Sequence, residues 1–397
     1  MMIRRFHFHL KRFPWPLLAA ILGTLILMIA IPAHHLITPY PGAQNSTGKA
    51  IQFYSAGLET VVSTYSPRSH DANAQTLSSR ERHLSEENFT KIRQSLLSRE
   101  YAIVNTLILR QVQAVPTETI GLHTVLMLPF WESFGSQQTT VNVAQVYQYL
   151  TARHLTETPM VSERSDAVNV VAHVLGTHGS DRRSAQLILY CVLAAFCLVF
   201  GWLFTVDARQ KTMNFIAVQP QPLFRYQMTQ AGLMLLTMNV LFFAAVSINV
   251  AIVVLSPNHN LGNLLYPVTY VVKSKTVLLP IWQYFLLWAL LINLWGVFLA
   301  GASLLFSLWV KNPLVIIFIT AVVAFAQPLQ LLALIPTAWQ LYFPASATAI
   351  PQMFFQLEQF AAFPITAWTL PLLLWSLIVW AAAAAIMHHQ AKPRSSR

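Results

Sequence analysis

Residues 187–206 read LILYCVLAAFCLVFGWLFTV, and the chain then continues Asp207-Ala-Arg209-Gln-Lys211. The quoted stretch contains no Asp, Glu, Lys or Arg. A helix needs about 20 apolar residues to cross the hydrocarbon core of a bilayer, so Leu187–Val206 is long enough to span. The switch to charge at Asp207 marks where it leaves the membrane. Five further stretches have the same character: Pro14–Ala33, Ala231–Leu255, Ile281–Val310, Pro313–Pro336 and Ile365–Met387, again without a charged residue. In the longest, Trp282 and Trp309 sit near the two ends. Their separation corresponds to about 40 Å of helix, the reach of a tilted span with an aromatic ring at each interface.

Composition agrees with six spans. The chain has 397 residues, of which 10% are charged and 55% hydrophobic. Soluble domains carry about 25% charged residues, so disorder, a coiled coil and an ordinary soluble enzyme are excluded. The net charge of +11 raises the question of nucleic acid, and the location of the charges answers it. Arg4, Arg5, Lys11 and Arg12 precede the first span, and Arg209, Lys211 and Arg225 lie between the second and third. Lys311 lies between the fourth and fifth, and Lys392, Arg394 and Arg397 come after the sixth. The short loops on the other side hold Lys273 and Lys275. Lys and Arg accumulate in cytoplasmic loops, so both termini are expected in the cytoplasm, with no nucleic-acid partner. The first span reads as an uncleaved anchor, because its apolar core exceeds the 7–15 residues of a signal peptide.

The expected fold is mainly α. It is a polytopic membrane protein with six transmembrane helices and an α+β extracellular domain between helices 1 and 2. Residues 1–13 form the cytoplasmic N-terminus, 14–38 the first transmembrane helix and 39–184 the extracellular domain. Residues 185–397 hold helices 2–6, with a cytosolic loop at 207–227 and a cytoplasmic tail at 388–397. The external segment carries 12 Lys or Arg and 12 Asp or Glu, the composition of a soluble module. Within it, Ser79–Glu100 and Val141–His154 read as amphipathic helices. Ile51–Tyr65 is mixed, with Val61, Val62 and Thr64 favouring strand, while Tyr101–Val112 and Thr119–Phe130 are rich in β-branched and apolar residues and read as strands. About 145 residues suffice for an independent core.

Motifs for chemistry are sparse. Gly42 to Ala50 resembles a P-loop, but it has one residue too many between its glycines and Ala50 in place of the Ser or Thr that would ligate Mg²⁺. His34-His35 and His388-His389 are adjacent pairs, which diverge on a helix, whereas metal ligands converge from one face. His173 and His178, with Asp166 and Asp181 nearby, form a weak metal candidate. Asn45-Ser-Thr47 and Asn88-Phe-Thr90 match the glycosylation acceptor pattern. Cys191 and Cys197 point in different directions on a helix and read as small buried apolar residues. No Cys lies in the external segment, as suits the surface of a Gram-positive bacterium. Proton-coupled carriers place ionisable groups within the membrane. Here the strongly polar groups in the spans are Asn239, Asn249, Asn293, Gln327 and Gln330, which read as interhelical hydrogen-bond partners. Small residues from Ala300 to Ser303 allow close helix contact.

The loop after the second span runs from Asp207 through Arg209, Lys211, Phe215, Pro220 and Pro222 to Arg225. A short amphipathic helix followed by Pro, lying along the membrane surface, suits it as a rigid knob for a cytosolic partner. It equally suits a plain interfacial connector.

The arrangement resembles the ABC-2 family of exporter permeases. Members have six membrane helices, and some carry a large external domain between helices one and two. Asp207, Arg209, Lys211, Phe215, Pro220 and Arg225 fall at places matching the family's cytosolic loop, and Lys311 lies in a turn, Trp309 to Pro313, similar to that between helices four and five. The chain departs from the pattern in having Asp207 where Glu is commoner, Gln230 where a basic residue is common, and no Gly in the loop. The resemblance implies that these seven residues dock two ABC ATPase subunits. It also implies a second permease, identical or related, beside this one in the plasma membrane. ATP and Mg²⁺ would then sit on the partner ATPase, with no cofactor, metal or catalytic residue in this chain. The implied cargo is lipid-like, peptidic or amphipathic. A membrane sensor or mechanical transducer with an external ligand-binding domain is the alternative from another class.

Overall fold

The computed structural model describes residues 15–37, 51–52, 55–59, 79–114, 142–158, 168–176, 182–210, 222–256, 261–272, 275–340, 342–354 and 365–391. Among these residues the chain is predominantly helical, with four helices long and apolar enough to cross a membrane, Arg183–Asp207, Leu223–Val254, Ile281–Ser307 and Ala367–Gln390. It divides into two compact units.

The first unit comprises residues up to Ile31, Arg183–Asn249 and Leu286–Arg397. The second comprises Pro32–Arg182 and Val250–Phe285. In chain order the helices are α1 (Trp15–Ile37), α2 (Ser79–Leu97), α3 (Tyr101–Ala114), α4 (Val143–Ala152), α5 (Val168–Leu175), α6 (Arg182–Arg209) and α7 (Leu223–Val254). Strands β1 (Pro267–Val272) and β2 (Lys275–Pro280) come next, then α8 (Ile281–Ser307) and α9 (Pro313–Ala324). The short helices α10 (Thr337–Gln340) and α11 (Ile350–Phe354) precede α12 (Ile365–Ala391).

In the second unit, Tyr101–Val112 is helical rather than extended. Tyr101, Val104, Asn105, Ile108 and Gln111 are its buried positions, a helical spacing that outweighs the β-branched composition. Residues 55–59 are helical, while Val61, Val62, Thr64 and Thr119–Phe130 lie outside the described residues. The helices at Ser79 and Val143 form as expected. Phe89, Ile92 and Leu96 of α2, Val104 and Ile108 of α3, and Val146, Tyr147 and Leu150 of α4 make the core. Arg99 turns the chain between α2 and α3 at φ 62°. Asn88 is buried and donates to Gln111 Oε1 at 2.9 Å, and Gln111 Nε2 donates to Ser85 Oγ at 2.8 Å. Asn88 is therefore a structural clasp between α2 and α3 rather than an open glycan acceptor.

Among the described residues, the sheet of this unit comes from an unexpected place. β1 and β2 pair antiparallel with Pro267 opposite Pro280 and Val272 opposite Lys275. They belong to the connection after the third apolar stretch, not to residues 39–184. The Thr276 hydroxyl accepts from the Asn142 N–H at 2.6 Å, and the Tyr149 hydroxyl donates to Leu265 O at 2.9 Å. Tyr266 and Leu278 pack on the helical core. Burial raises the Tyr149 pKa, which keeps that hydroxyl a donor. β2 ends at Pro280 and α8 starts at Ile281 with no residue between.

In the first unit α6 and α8 are mostly buried, whereas only about a third of α7 and α12 is buried. Three glycines set how closely the helices approach. A Cβ on Gly201 would meet Ile317 at 2.5 Å, one on Gly296 would meet Leu235 at 2.5 Å, and one on Gly301 would meet Trp380 and Val379 at 2.8 Å. Small residues at such contacts let apolar helices gain dispersion energy in a solvent as apolar as themselves. The asparagines act as expected. Asn239 and Asn293 exchange reciprocal amide hydrogen bonds at 2.6 and 2.9 Å between α7 and α8. Asn249 donates to Ile26 O of α1 at 3.3 Å. Cys191 and Cys197 are free thiols.

The fifth apolar stretch departs from expectation. Pro313–Pro336 is not one helix. α9 stops after 12 residues, about 18 Å against a core of about 30 Å. Pro328 supplies no N–H and disfavours helix at the residue before it, and Gln330 has φ 56°. The chain continues in 3₁₀ turns, Leu331–Leu334 and Pro344–Thr348, and the short helices α10 and α11. Residues 344–351 are all buried. Side chains satisfy this irregular backbone. Trp295 Nε1 donates to Ala347 O at 3.0 Å and Gln186 Nε2 to Thr348 O at 3.0 Å. Gln340 Nε2 donates to Leu332 O and Ile335 O, both at 3.0 Å. The Thr348 hydroxyl donates to the Gln327 side chain.

Gly301→Val should lower the thermal unfolding midpoint of the detergent-solubilised chain by an amount equivalent to about 1–3 kcal/mol of overpacking. Gly232→Ala, where a Cβ meets nothing within 4 Å, should leave it unchanged or raise it. Equal midpoints for Gly301→Val and wild type would contradict the close approach. In the second unit, Tyr149→Phe and Thr276→Val should each cost about 1 kcal/mol. Limited proteolysis should then cut near the hairpin sooner than in wild type.

Candidate functional site

Of the residues singled out from sequence, Asp207 and Arg209 lie in the last turn of α6, Arg225 in the first turn of α7 and Lys311 in the turn between α8 and α9. Lys211, Phe215 and Pro220 lie outside the described residues. Asp207, Arg209, Arg225 and Lys311 lie within them.

Asp207 is turned inward, only 2% exposed. The Tyr226 hydroxyl donates to its Oδ2 at 3.4 Å, and Gln230 Nε2 donates to the Tyr226 oxygen at 2.7 Å. Tyr226 and Gln230 are one turn apart on α7, so both face the last turn of α6. A carboxylate so deeply buried presents nothing to a macromolecular partner. Its role is to hold the start of α7 against the end of α6, which fixes the two ends from which the connecting loop leaves. Sequence reading missed Tyr226 altogether and noted Gln230 only as a departure from a pattern. The available signal was the spacing of two hydrogen-bonding side chains on the face opposite Asp207.

Arg209 and Arg225 are exposed. The Arg209 guanidinium lies over the Trp202 ring, 3.9 Å from its centroid, so its stem is steadied while its charge faces outward. Beside Arg225, Phe224 meets Trp380 edge-on at 6.0 Å, and Trp380 Nε1 donates to Val297 O at 3.0 Å. This ties the first turn of α7 to α12 and, through the Gly301 notch, to α8.

Lys311 sits in the turn between α8 and α9. Its Nζ donates to Ser307 O at 2.5 Å, a cation on the C-terminal carbonyls of α8. The next residue, Asn312, accepts from the Leu314 N–H at 3.0 Å and caps the start of α9. Two adjacent side chains thus terminate one helix and begin the next. Lys311 remains exposed, so its charge is available as well as structural.

Four of the seven expected residues are therefore placed. Three are surface cations on capped or pinned helix ends, and the fourth positions the loop from inside. Among the described residues, no group of three or more His, Cys, Asp or Glu side chains is arranged to hold a metal ion. His388 and His389 are exposed in the last turn of α12. The side chains of His34, His35 and His173, and all of His178 and residues 42–50, lie outside the described set. Comparison with family models, with curated proteins and with solved structures found no match to this chain.

Tyr226→Phe removes the bond to a buried carboxylate, and should lower stability by about 1.5–3 kcal/mol. Arg209→Ala and Arg225→Ala, at exposed positions, should each stay within about 0.5 kcal/mol of wild type. Denaturant or thermal unfolding in detergent checks both. A Tyr226→Phe variant as stable as the Arg variants would remove Asp207 from its positioning role.

Proposed function

We propose that the chain is the membrane-spanning permease subunit of an ATP-driven exporter of the ABC-2 kind. A separate ATPase supplies the chemistry, and the bundle works as one half of a dimer in a bacterial plasma membrane. The observation that carries this reading is the construction of one end of the membrane unit. Asp207, Tyr226 and Gln230 pin the loop's two ends from within, while Arg209, Arg225 and Lys311 stand exposed around it. A surface that receives force from a partner needs a rigid footing and outward charge, and this end has both. The positive-inside pattern favours its lying in the cytoplasm. The cargo best suited to apolar, charge-free helices is lipid-like, peptidic or amphipathic. Alternating access would come from a two-state rearrangement of packed helices driven by the partner's nucleotide cycle.

The second reading, a transducer that reports an external event without moving cargo, is favoured by a different observation. The hairpin that packs on the external helical core leads into α8 without a linker, and Tyr284 of α8 donates to Leu175 O at 3.3 Å. The hairpin and α8 are thus continuous in the chain.

The test is co-purification with the ABC ATPase expressed from the same locus, then reconstitution. Arg209→Glu together with Arg225→Glu should reduce ATPase association by roughly tenfold or more, about 1.4 kcal/mol or above, while the permease remains folded. Undiminished association would reject the docking surface. Intact association and nucleotide turnover, with no cargo movement in vesicles, would select the transducer.

A further inference from the structure

The break after α9 leaves an apolar surface that the fold itself does not cover. Between Lys311 and Glu358 the chain carries no charged residue. α9 begins beside Lys311 and ends after 12 residues, so it stops roughly 12 Å short of the far side of a 30 Å core. The segment beyond it therefore starts at membrane depth. An independent contact fixes the depth from the other side. Trp375 Nε1 donates to Tyr342 O at 2.8 Å, and Trp375 lies eight residues inside the apolar span that starts at Ala367. That is about 12 Å along the helix. Tyr342 is thus held at a level inside the membrane, not beyond it.

The side chains exposed on this segment are large and apolar or interfacial. Leu334 is 83% exposed, Trp339 62% and Tyr342 59%. Trp339 and Tyr342 contact each other at 6.1 Å between ring centroids. Gln340 takes the Leu332 and Ile335 carbonyls and Trp375 that of Tyr342, which lowers the cost of placing this irregular backbone in hydrocarbon. The surface continues onto the exposed Leu373, Leu374, Trp375, Leu377 and Ile378 of α12.

We infer that residues 329–340, 342 and 343 form a lipid-facing insert, buried among the acyl chains of the leaflet farther from Lys311, rather than an aqueous loop. Leu329, Leu334 and the rings of Trp339 and Tyr342 are among its exposed side chains, and they face the acyl chains. The inference rests on the membrane reading alone, so it stands whether or not the protein moves cargo.

The experiment uses the full chain in phosphatidylcholine–phosphatidylglycerol vesicles, with Cys191→Ala and Cys197→Ala as background. A nitroxide is attached at Leu334→Cys, at Leu377→Cys on the exposed face of α12, or at Leu97→Cys on the exposed surface of α2. Collision with oxygen is compared with collision with a water-soluble nickel chelate. The Leu334 label should match the Leu377 label, with an oxygen-to-nickel ratio roughly tenfold above that at Leu97, because oxygen partitions into a core that excludes the polar chelate. Nickel accessibility like that at Leu97 would overturn the inference. Shielding from both reagents would overturn it too, since a protein surface and not lipid would then cover the segment. Leu329→Cys replaces Leu334→Cys if the latter does not fold, with the same expected result.

Discussion

A peptide group in hydrocarbon has no water to bond, and this requirement governs the membrane unit. Regular helices meet it by themselves. The segment after α9 does not, because Pro328 and the left-handed Gln330 stop the helix partway. Its carbonyls are met instead by side chains from elsewhere: Trp295 from α8, Gln186 from α6, Trp375 from α12 and Gln340 from within the segment. Each bond deleted in a dry site costs the desolvation of the abandoned group, about 1–3 kcal/mol. The irregular segment therefore fixes which helices must stand next to it and which rings must point at it.

The rest of the bundle is arranged to bring those donors within reach. Gly201 lets α9 lie against α6, and Gly301 lets α12 lie against α8. Trp380 fills the second notch and bonds Val297 O. Polar clasps then fix rotation where packing alone permits slippage: the Asn239–Asn293 pair in the middle, and Asp207 with Tyr226 and Gln230 at one end. Close contact gives affinity between helices, and the clasps give register. The same division appears in the second unit, where apolar burial joins α2, α3 and α4, and the Asn88–Gln111–Ser85 chain sets their register.

Much of this was legible in the sequence because membrane spans are a matter of length and absence of charge. Leu187–Val206, Ala231–Leu255, Ile281–Val310 and Ile365–Met387 all became long apolar helices, and the asparagines became clasps. The fifth stretch failed for an instructive reason. Hydropathy registers the residues' dislike of water and is blind to backbone direction, whereas Gln327-Pro328 and Pro336 carried the break. Tyr101–Val112 was misread because β-branched content was weighed above spacing, although Asn105 and Gln111 fall on the buried face at helical intervals. The hairpin at 267–280 gives a weak sequence signal, since each of its strands is only six residues long. At the candidate site the exposed cations could be named in advance, since their charge is their signal. Tyr226 could not, because its importance lies in a contact with a residue 19 positions away.

The most direct test is amide hydrogen exchange on the full chain in lipid nanodiscs, read at residues 344–351 in wild type and in Trp295→Phe. An irregular segment satisfied from within should be protected nearly as well as α6 and α8. Loss of the Trp295 donor should speed exchange there while leaving α6 unchanged. Exchange in wild type as fast as that of a solvated loop would contradict the account at its base.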